Sequence, residues 1–128
     1  MRLLLDTHAF LWWVTDAPEL SAAARAAIQD PEAECLVSLA TCWEMAIKQS
    51  LGKLKLDVPL EQFVPTHMAT NGFLQMEIEF RHVARVADLP FHHRDPFDRL
   101  LAAQAMVENL PLVSNDLAFD DYGVRRLW

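Results

Sequence analysis

Leu3-Leu4-Leu5-Asp6-Thr7-His8 decides the fold. Three consecutive leucines form a short apolar run that stops at a carboxylate. Length and position suit a strand buried on both faces. From Thr7 to Val14 the pattern turns helical, with Phe10, Leu11, Trp12 and Trp13. A buried strand giving way to a helix at an acid is the opening of an α/β unit. Asp6 is also a costly residue at that place. A carboxylate ending an apolar run needs a partner.

The same alternation continues outward. Ser21 is a good N-cap for an alanine-rich helix over Ala22–Gln29, which Asp30-Pro31 ends. Cys35–Ser38 reads as a second strand. Leu39–Leu51 reads as a helix with Leu39, Trp43, Ile47 and Leu51 as its core stripe, and Gly52 stops it. Lys53–Val58 alternates polar and apolar residues, as a short ribbon or loop does. Leu60–Asn71 is predicted helical with a kink or break at Pro65, before Gly72. Phe73–Met76 is a third strand, Phe80–Ala87 a short helix, Pro96–Asn109 a strong helix and Pro111–Ser114 a fourth strand. The tail Val124–Trp128 is a candidate fifth. Strands alternating with helices predict an α/β domain with a mainly parallel sheet of four to five strands.

Composition agrees. The chain has 128 residues, 52% hydrophobic and 23% charged, with a formal net charge of −7. This excludes disorder and predicts one domain over residues 1–128. About two-thirds of the unfolded surface is buried at such a length, enough for a core without staples. Cys35 and Cys42 lack zinc-site spacing and read as small buried hydrophobes. The charge at Asp6 leaves no room for a secretory h-region, and no apolar run reaches the roughly 20 residues of a membrane span. A cytoplasmic protein is expected. The acidic balance excludes a surface coated with phosphate-binding charge, so contacts to nucleic acid must be local.

Parallel sheets bind ligands beyond the carboxyl ends of their strands. Asp6 and Asp116 follow strands there. Glu44 and the pair Asp95 and Asp98 lie near helix starts. Each also has a plain structural reading. Asp95-Pro96-Phe97-Asp98 is a well-made helix start, and Thr41-Cys42-Trp43-Glu44 matches a capping box. Helix N-termini converge at that edge, so caps alone would gather acids. But no G-x-G-x-x-G or Walker sequence competes for it. Three or four carboxylates meeting there need a cation, and all-oxygen ligands suit Mg²⁺ or Mn²⁺. Such an ion activates water for attack on a phosphodiester.

Four stretches in order carry a resemblance. They are Leu4-Leu5-Asp6-Thr7-His8, Trp43-Glu44-Met45-Ala46-Ile47-Lys48, His93 through Ala105, and Leu112-Val113-Ser114-Asn115-Asp116. Together they resemble a PIN domain, specifically the VapC-type toxins of type II toxin–antitoxin pairs. The resemblance covers essentially the whole chain. It implies a three-layer α/β/α sandwich around a central, mainly parallel sheet, and a Mg²⁺- or Mn²⁺-dependent endoribonuclease, inhibited by a cognate antitoxin and expected as a homodimer. It places Asp6, Glu44 and Asp98 on the family's core acids and Asp116 on a fourth, more variable one, as catalytic residues and metal ligands. Thr7, Ser114 and Asn115 fall beside them as supporting groups. Asp95 fits the local pattern better as a cap. It also implies in-line attack by water, leaving 5′-phosphate and 3′-hydroxyl ends, and an antitoxin tail that puts a basic side chain among the carboxylates.

Lys48, His93, Arg94 and Arg99 are candidate RNA contacts, and the His92-His93 pair is also a candidate general base. Each has a plainer reading as surface charge, and Lys48 is spaced to pair with Glu44. Trp12 and Trp13 point about 100° apart, one toward the core and one toward a partner surface. Two rival functions remain at this point. A phosphatase of the haloacid dehalogenase type wants a second aspartate two residues after the first, where this chain has His8. A non-catalytic partner-binding module makes the acids mere caps.

Overall fold

A computed structural model describes residues 1–128. Five strands form one sheet: β1 (Arg2–Leu5), β2 (Glu34–Ser38), β3 (Leu74–Met76), β4 (Leu112–Val113) and β5 (Arg126–Leu127). Their order is β3-β2-β1-β4-β5 and every pairing is parallel. The helices are α1 (Thr7–Val14), α2 (Ala22–Gln29), α3 (Leu39–Ser50), α4 (Leu60–Asn71), α5 (Phe80–Val86) and α6 (Pro96–Glu108). A 3₁₀ turn spans Leu117–Tyr122.

Period-two alternation sorts the leucines of β1 between two cores. Leu3 and Leu5 pack with Ala9, Phe10, Ile28, Phe63 and Val64 from α1, α2 and α4. Leu4 packs on the other face with Leu36, Leu112, Phe119 and the Leu101–Ala105 stretch of α6. All three leucines are fully buried. Each contributes about 1.5–3 kcal/mol through its burial. The helical layers on either side of one sheet are the sandwich the resemblance implies.

Two helices differ from expectation. The core stripe of α3 is not Leu39, Trp43, Ile47 and Leu51. Trp43 is 56% exposed and Leu51 62%. The buried face is Ala40, Thr41, Glu44 and Met45. Nor is there a capping box at Thr41. Ser38 is the N-cap, its Oγ accepting from Ala40 N at 3.0 Å, so Glu44 lies in the second turn. Helix α4 runs through Pro65 without a break. Pro65 and Glu61 both lie on the exposed face, so the carbonyl that loses its donor is open to water. Residues 53–58 form no ribbon. Leu54 and Leu56 tuck against the first core while Lys53 and Lys55 face out.

The order of strands reverses beside β1. The chain passes from β1 to β2 and β3 on one side, and returns to β4 and β5 on the other. The carboxyl ends of β1 and β4 therefore flank the switch point, where open α/β sheets hold their ligands.

Candidate metal centre

Asp6 is the first residue beyond β1 and the N-cap of α1. Its N–H donates to Val113 O at 3.1 Å, and its Oδ1 accepts from Ala9 N at 2.7 Å. It is 5% exposed. Burial pushes its carboxyl above the ordinary value, while the Ser114 hydroxyl and the Ala9 N–H act in the other direction. Cap and candidate ligand are thus the same residue, since one oxygen suffices for the cap.

Glu44 is also 5% exposed. The Thr7 hydroxyl donates to its Oε1 at 2.6 Å, and Lys48 Nζ donates to its Oε2 at 2.6 Å. The buried Thr41 hydroxyl stands 3.3 Å from that of Thr7. Inward-facing polar residues explain why the apolar positions of α3 do not mark its buried face. Lys48 is not an outlying surface pair. It lines the cleft, and its bonded Glu44 carboxylate raises its pKa.

Asp95 caps α6, its Oδ1 accepting from Phe97 N at 2.8 Å and Asp98 N at 3.2 Å. Asp98 follows in the first turn of that helix. Burial pushes its carboxyl up to about 7, with Asp95 adding repulsion and His93 opposing the rise. Asp116 caps the 3₁₀ turn through Ala118 N at 3.0 Å. The fully buried Ser114 holds Asp116 in place, its Oγ accepting from Asp116 N at 3.0 Å. Asn115 is exposed at the rim.

These residues meet. Asp6, Thr7, Glu44, Lys48, Asp95, Asp98, Asn115 and Asp116, together with His8, line one cleft of about 350 Å³ with no hydrophobic wall. Five carboxylates face one ammonium there. The donor set is oxygen, part of it is desolvated, and the cleft is polar throughout. This fits a hard divalent cation such as Mg²⁺ or Mn²⁺, which shares its sites with waters. Caps do converge at this edge, but capping does not account for Glu44. It caps nothing, yet it is buried with both oxygens engaged.

The candidate RNA contacts separate. Arg94 is exposed. Arg99 is 7% exposed and turned inward, which corrects its reading as a surface cation. Its guanidinium donates to the carbonyls of Val86, Leu89 and Pro90 at 3.0–3.3 Å, and stacks on Phe91 at 4.2 Å. These bonds engage both Nη groups, hold the loop before α6 and turn the guanidinium away from solvent. His93 bridges two acids, its Nε2 lying 3.0 Å from Asp98 Oδ2 and 2.8 Å from Asp116 Oδ2. Its place among the acids went unrecognised in the sequence. The only signal was its position in a short loop feeding a well-capped helix. Neither Trp12 nor Trp13 is fully core. Trp13 donates to Asn71 Oδ1 at 2.9 Å, and Trp12 packs between His8 and Trp128.

Comparison with known proteins identifies the family and the fold. The family model for the PIN domain matches residues 3–124. Ribonuclease VapC22 of Mycobacterium tuberculosis is 30% identical over 117 residues, 89% of this chain and 86% of the relative. Among solved structures, VapBC2 from Rickettsia felis bound to a promoter DNA fragment superposes with a TM-score of 0.73 over 100% of both chains, at 14% identity. A toxin–antitoxin complex from Klebsiella pneumoniae gives 0.58 over 89% of this chain and 86% of that one, at 21% identity. The chain belongs to the PIN domain family. The VapC likeness carried by its four motifs holds across nearly its whole length.

Proposed function

We propose that this chain is a metal-dependent endoribonuclease, the toxin of a type II toxin–antitoxin pair acting in the cytoplasm, and that residues 1–128 form its single domain. One observation carries the reading. Five carboxylates gather at the switch point of a parallel sheet against one ammonium, in a cleft without an apolar wall. The VapC ribonuclease relative supports RNA as substrate. Asp6, Glu44, Asp98 and Asp116 would hold Mg²⁺ or Mn²⁺. When bound, such an ion polarises a phosphate oxygen and lowers the pKa of water at the site.

The chain's own residues set the rest. Thr7 and Lys48 fix the two oxygens of Glu44, and Ser114 fixes the backbone beneath Asp116. Lys48, which lines the cleft, would meet a phosphate oxygen, and the exposed Arg94 would meet the RNA backbone. With an acidic surface, recognition relies on RNA shape and such local contacts. A cognate antitoxin would cover the same cleft and place a basic side chain among the carboxylates, with the toxin as a homodimer. The toxin–antitoxin complexes among the solved relatives support the antitoxin partner.

The phosphatase alternative finds no second aspartate beside Asp6, since His8 stands there, exposed. The test is cleavage of a mixed cellular RNA pool by antitoxin-free protein with Mg²⁺, Mn²⁺ or EDTA, beside Asp6→Asn. Asn preserves the cap and damages the metal site. Discrete fragments that need metal and vanish in the variant are expected. A folded protein that neither cuts RNA nor binds Mn²⁺ contradicts the proposal and favours a binding module.

A further inference from the structure

We propose that His93 is a positioning residue of the metal centre: a neutral imidazole, protonated on Nε2, that ties Asp98 to Asp116 and stays out of the coordination shell. The inference rests on the metal-centre reading above. It deepens that reading by assigning a role to a residue beside the four acids.

The polarity of the ring decides between ligand and donor. His93 Nδ1 lies 3.1 Å from Asp95 N and accepts its N–H. A nitrogen that accepts carries no proton, so in the neutral ring the proton is on Nε2. Nε2 is hydrogen-bonded to Asp116 Oδ2 at 2.8 Å, and Asp98 Oδ2 lies 3.0 Å from the same nitrogen. A metal-ligating imidazole has the reverse arrangement. It offers a bare nitrogen to the ion and donates its other N–H to a carbonyl or carboxylate. Here the far nitrogen meets a donor.

The ring is held where it can do this. The His93 N–H donates to Tyr122 Oη at 3.0 Å, and Tyr122 Oη donates to Pro90 O at 2.8 Å. Arg99 Nη1 reaches Pro90 O at 3.0 Å and His93 O at 3.4 Å. The backbone of His93 is therefore anchored at both its donor and its acceptor, and the ring at Nδ1. The Asp98 carboxylate has no other hydrogen-bond partner, and that of Asp116 has little more. The Asp116 side chain is 36% exposed, and the Ala118 N–H is its one other hydrogen bond. Without His93, its Oδ2 has no fixed direction and faces Asp98 with nothing between them.

Three readouts on the full chain test this. Long-range ¹⁵N–¹H NMR, with the His93 signals assigned by their loss in His93→Gln, reads the tautomer. Pulsed EPR of bound Mn²⁺ reads directly coordinated imidazole nitrogen. Titration calorimetry reads Mn²⁺ affinity. We expect the Nε2-protonated pattern and no imidazole coupling to Mn²⁺. His93→Ala should lose affinity by about tenfold or more, the size of effect seen for groups that orient ligands, and His93→Gln should recover most of it through its amide N–H. Imidazole coupling in the wild type that disappears in His93→Gln would make His93 a ligand and overturn the proposal. So would a folded His93→Ala that binds Mn²⁺ as tightly as wild type, or an Nδ1-protonated ring. If the wild type binds no Mn²⁺ at all, the metal centre itself fails and the proposal fails with it. If His93→Ala does not fold, the tautomer and EPR measurements on the wild type still decide.

Discussion

Two histidines in this molecule sit in nearly the same local arrangement and differ in charge balance. His82 and His93 each accept a backbone N–H at Nδ1, from Glu79 at 3.0 Å and Asp95 at 3.1 Å. Each directs Nε2 at carboxylate oxygen, Glu108 at 2.9 Å for His82, Asp98 and Asp116 for His93. Each makes a cluster of two acids and one imidazole. At His82, Arg81 pairs with both Glu79 and Glu108, and the histidine holds Glu108 below the usual carboxylate range. At His93 no arginine enters, and Asp6, Glu44 and Asp95 add charge on the same side. The first cluster is an ion-pair network that closes on itself. The second has more negative charge than the protein compensates. Clustered acids alone do not mark a site; an uncompensated cluster at the switch point of the sheet does.

Neutralising one acid in each cluster should break the comparison most visibly. Asp98→Asn is expected to lower Mn²⁺ affinity and RNA cleavage on the order of 10²-fold or more, whereas Glu108→Gln should leave both at wild-type level. Calorimetry and a cleavage assay on both variants check this. Equal losses would mean the two clusters are not functionally distinct.

The pH dependence should differ as well. Asp98 keeps its proton up to about 7 in the folded protein. An ion must displace that proton, so Mn²⁺ affinity should rise about tenfold per pH unit below 7 and level off above it. Calorimetry from pH 5.5 to 8.5 reads the bend. A flat profile would mean that Asp98 enters the site already ionised.

Stability without metal sharpens the contrast further, with opposite signs. Unfolded Asp98 releases its proton near 3.8 and folded Asp98 near 7. The native state therefore binds more protons between those values, and stability falls as pH rises through that window. Asp98→Asn removes this fall. It should be more stable than wild type by about 1–2 kcal/mol at pH 8, with the gap closing near pH 4. Glu108→Gln should instead lower stability, by about 1 kcal/mol, because it weakens a satisfied ion-pair network. Denaturant melts at the two pH values decide.

How much of this was legible in the residues differs between the strands and α3. The Leu3-Leu4-Leu5-Asp6 run announces its strand because burial on both faces demands unbroken apolarity, and its end announces the site. The prolines, glycines and caps place most helix limits within a residue or two. Helix α3 misleads because its buried face carries hydrogen-bonded polar residues. Thr41 and Glu44 turn inward toward the cleft, which leaves Trp43 outside, edge-on to Phe97 at 5.0 Å. A hydrophobic stripe assumes that the buried face is the apolar one. Arg99 misleads in the same way, since its loop carbonyls become neighbours only in three dimensions. The acids themselves were readable by their places at strand ends and helix starts. The histidine bridge was not, because Asp116 becomes a neighbour of His93 only in three dimensions. The smallest expected effect follows from α3. Trp43→Ser should cost only about 0.5–1 kcal/mol, the value of an exposed aromatic contact rather than of a core tryptophan. A loss of several kcal/mol in a thermal or denaturant melt would restore the stripe to the core.

The most direct test of the central claim is anomalous scattering from a crystal soaked in Mn²⁺. The account predicts a peak among Asp6, Glu44, Asp98 and Asp116, and none at Glu79, His82 and Glu108. A peak at the second cluster alone, or none at either in a soak that occupies other sites, would contradict it.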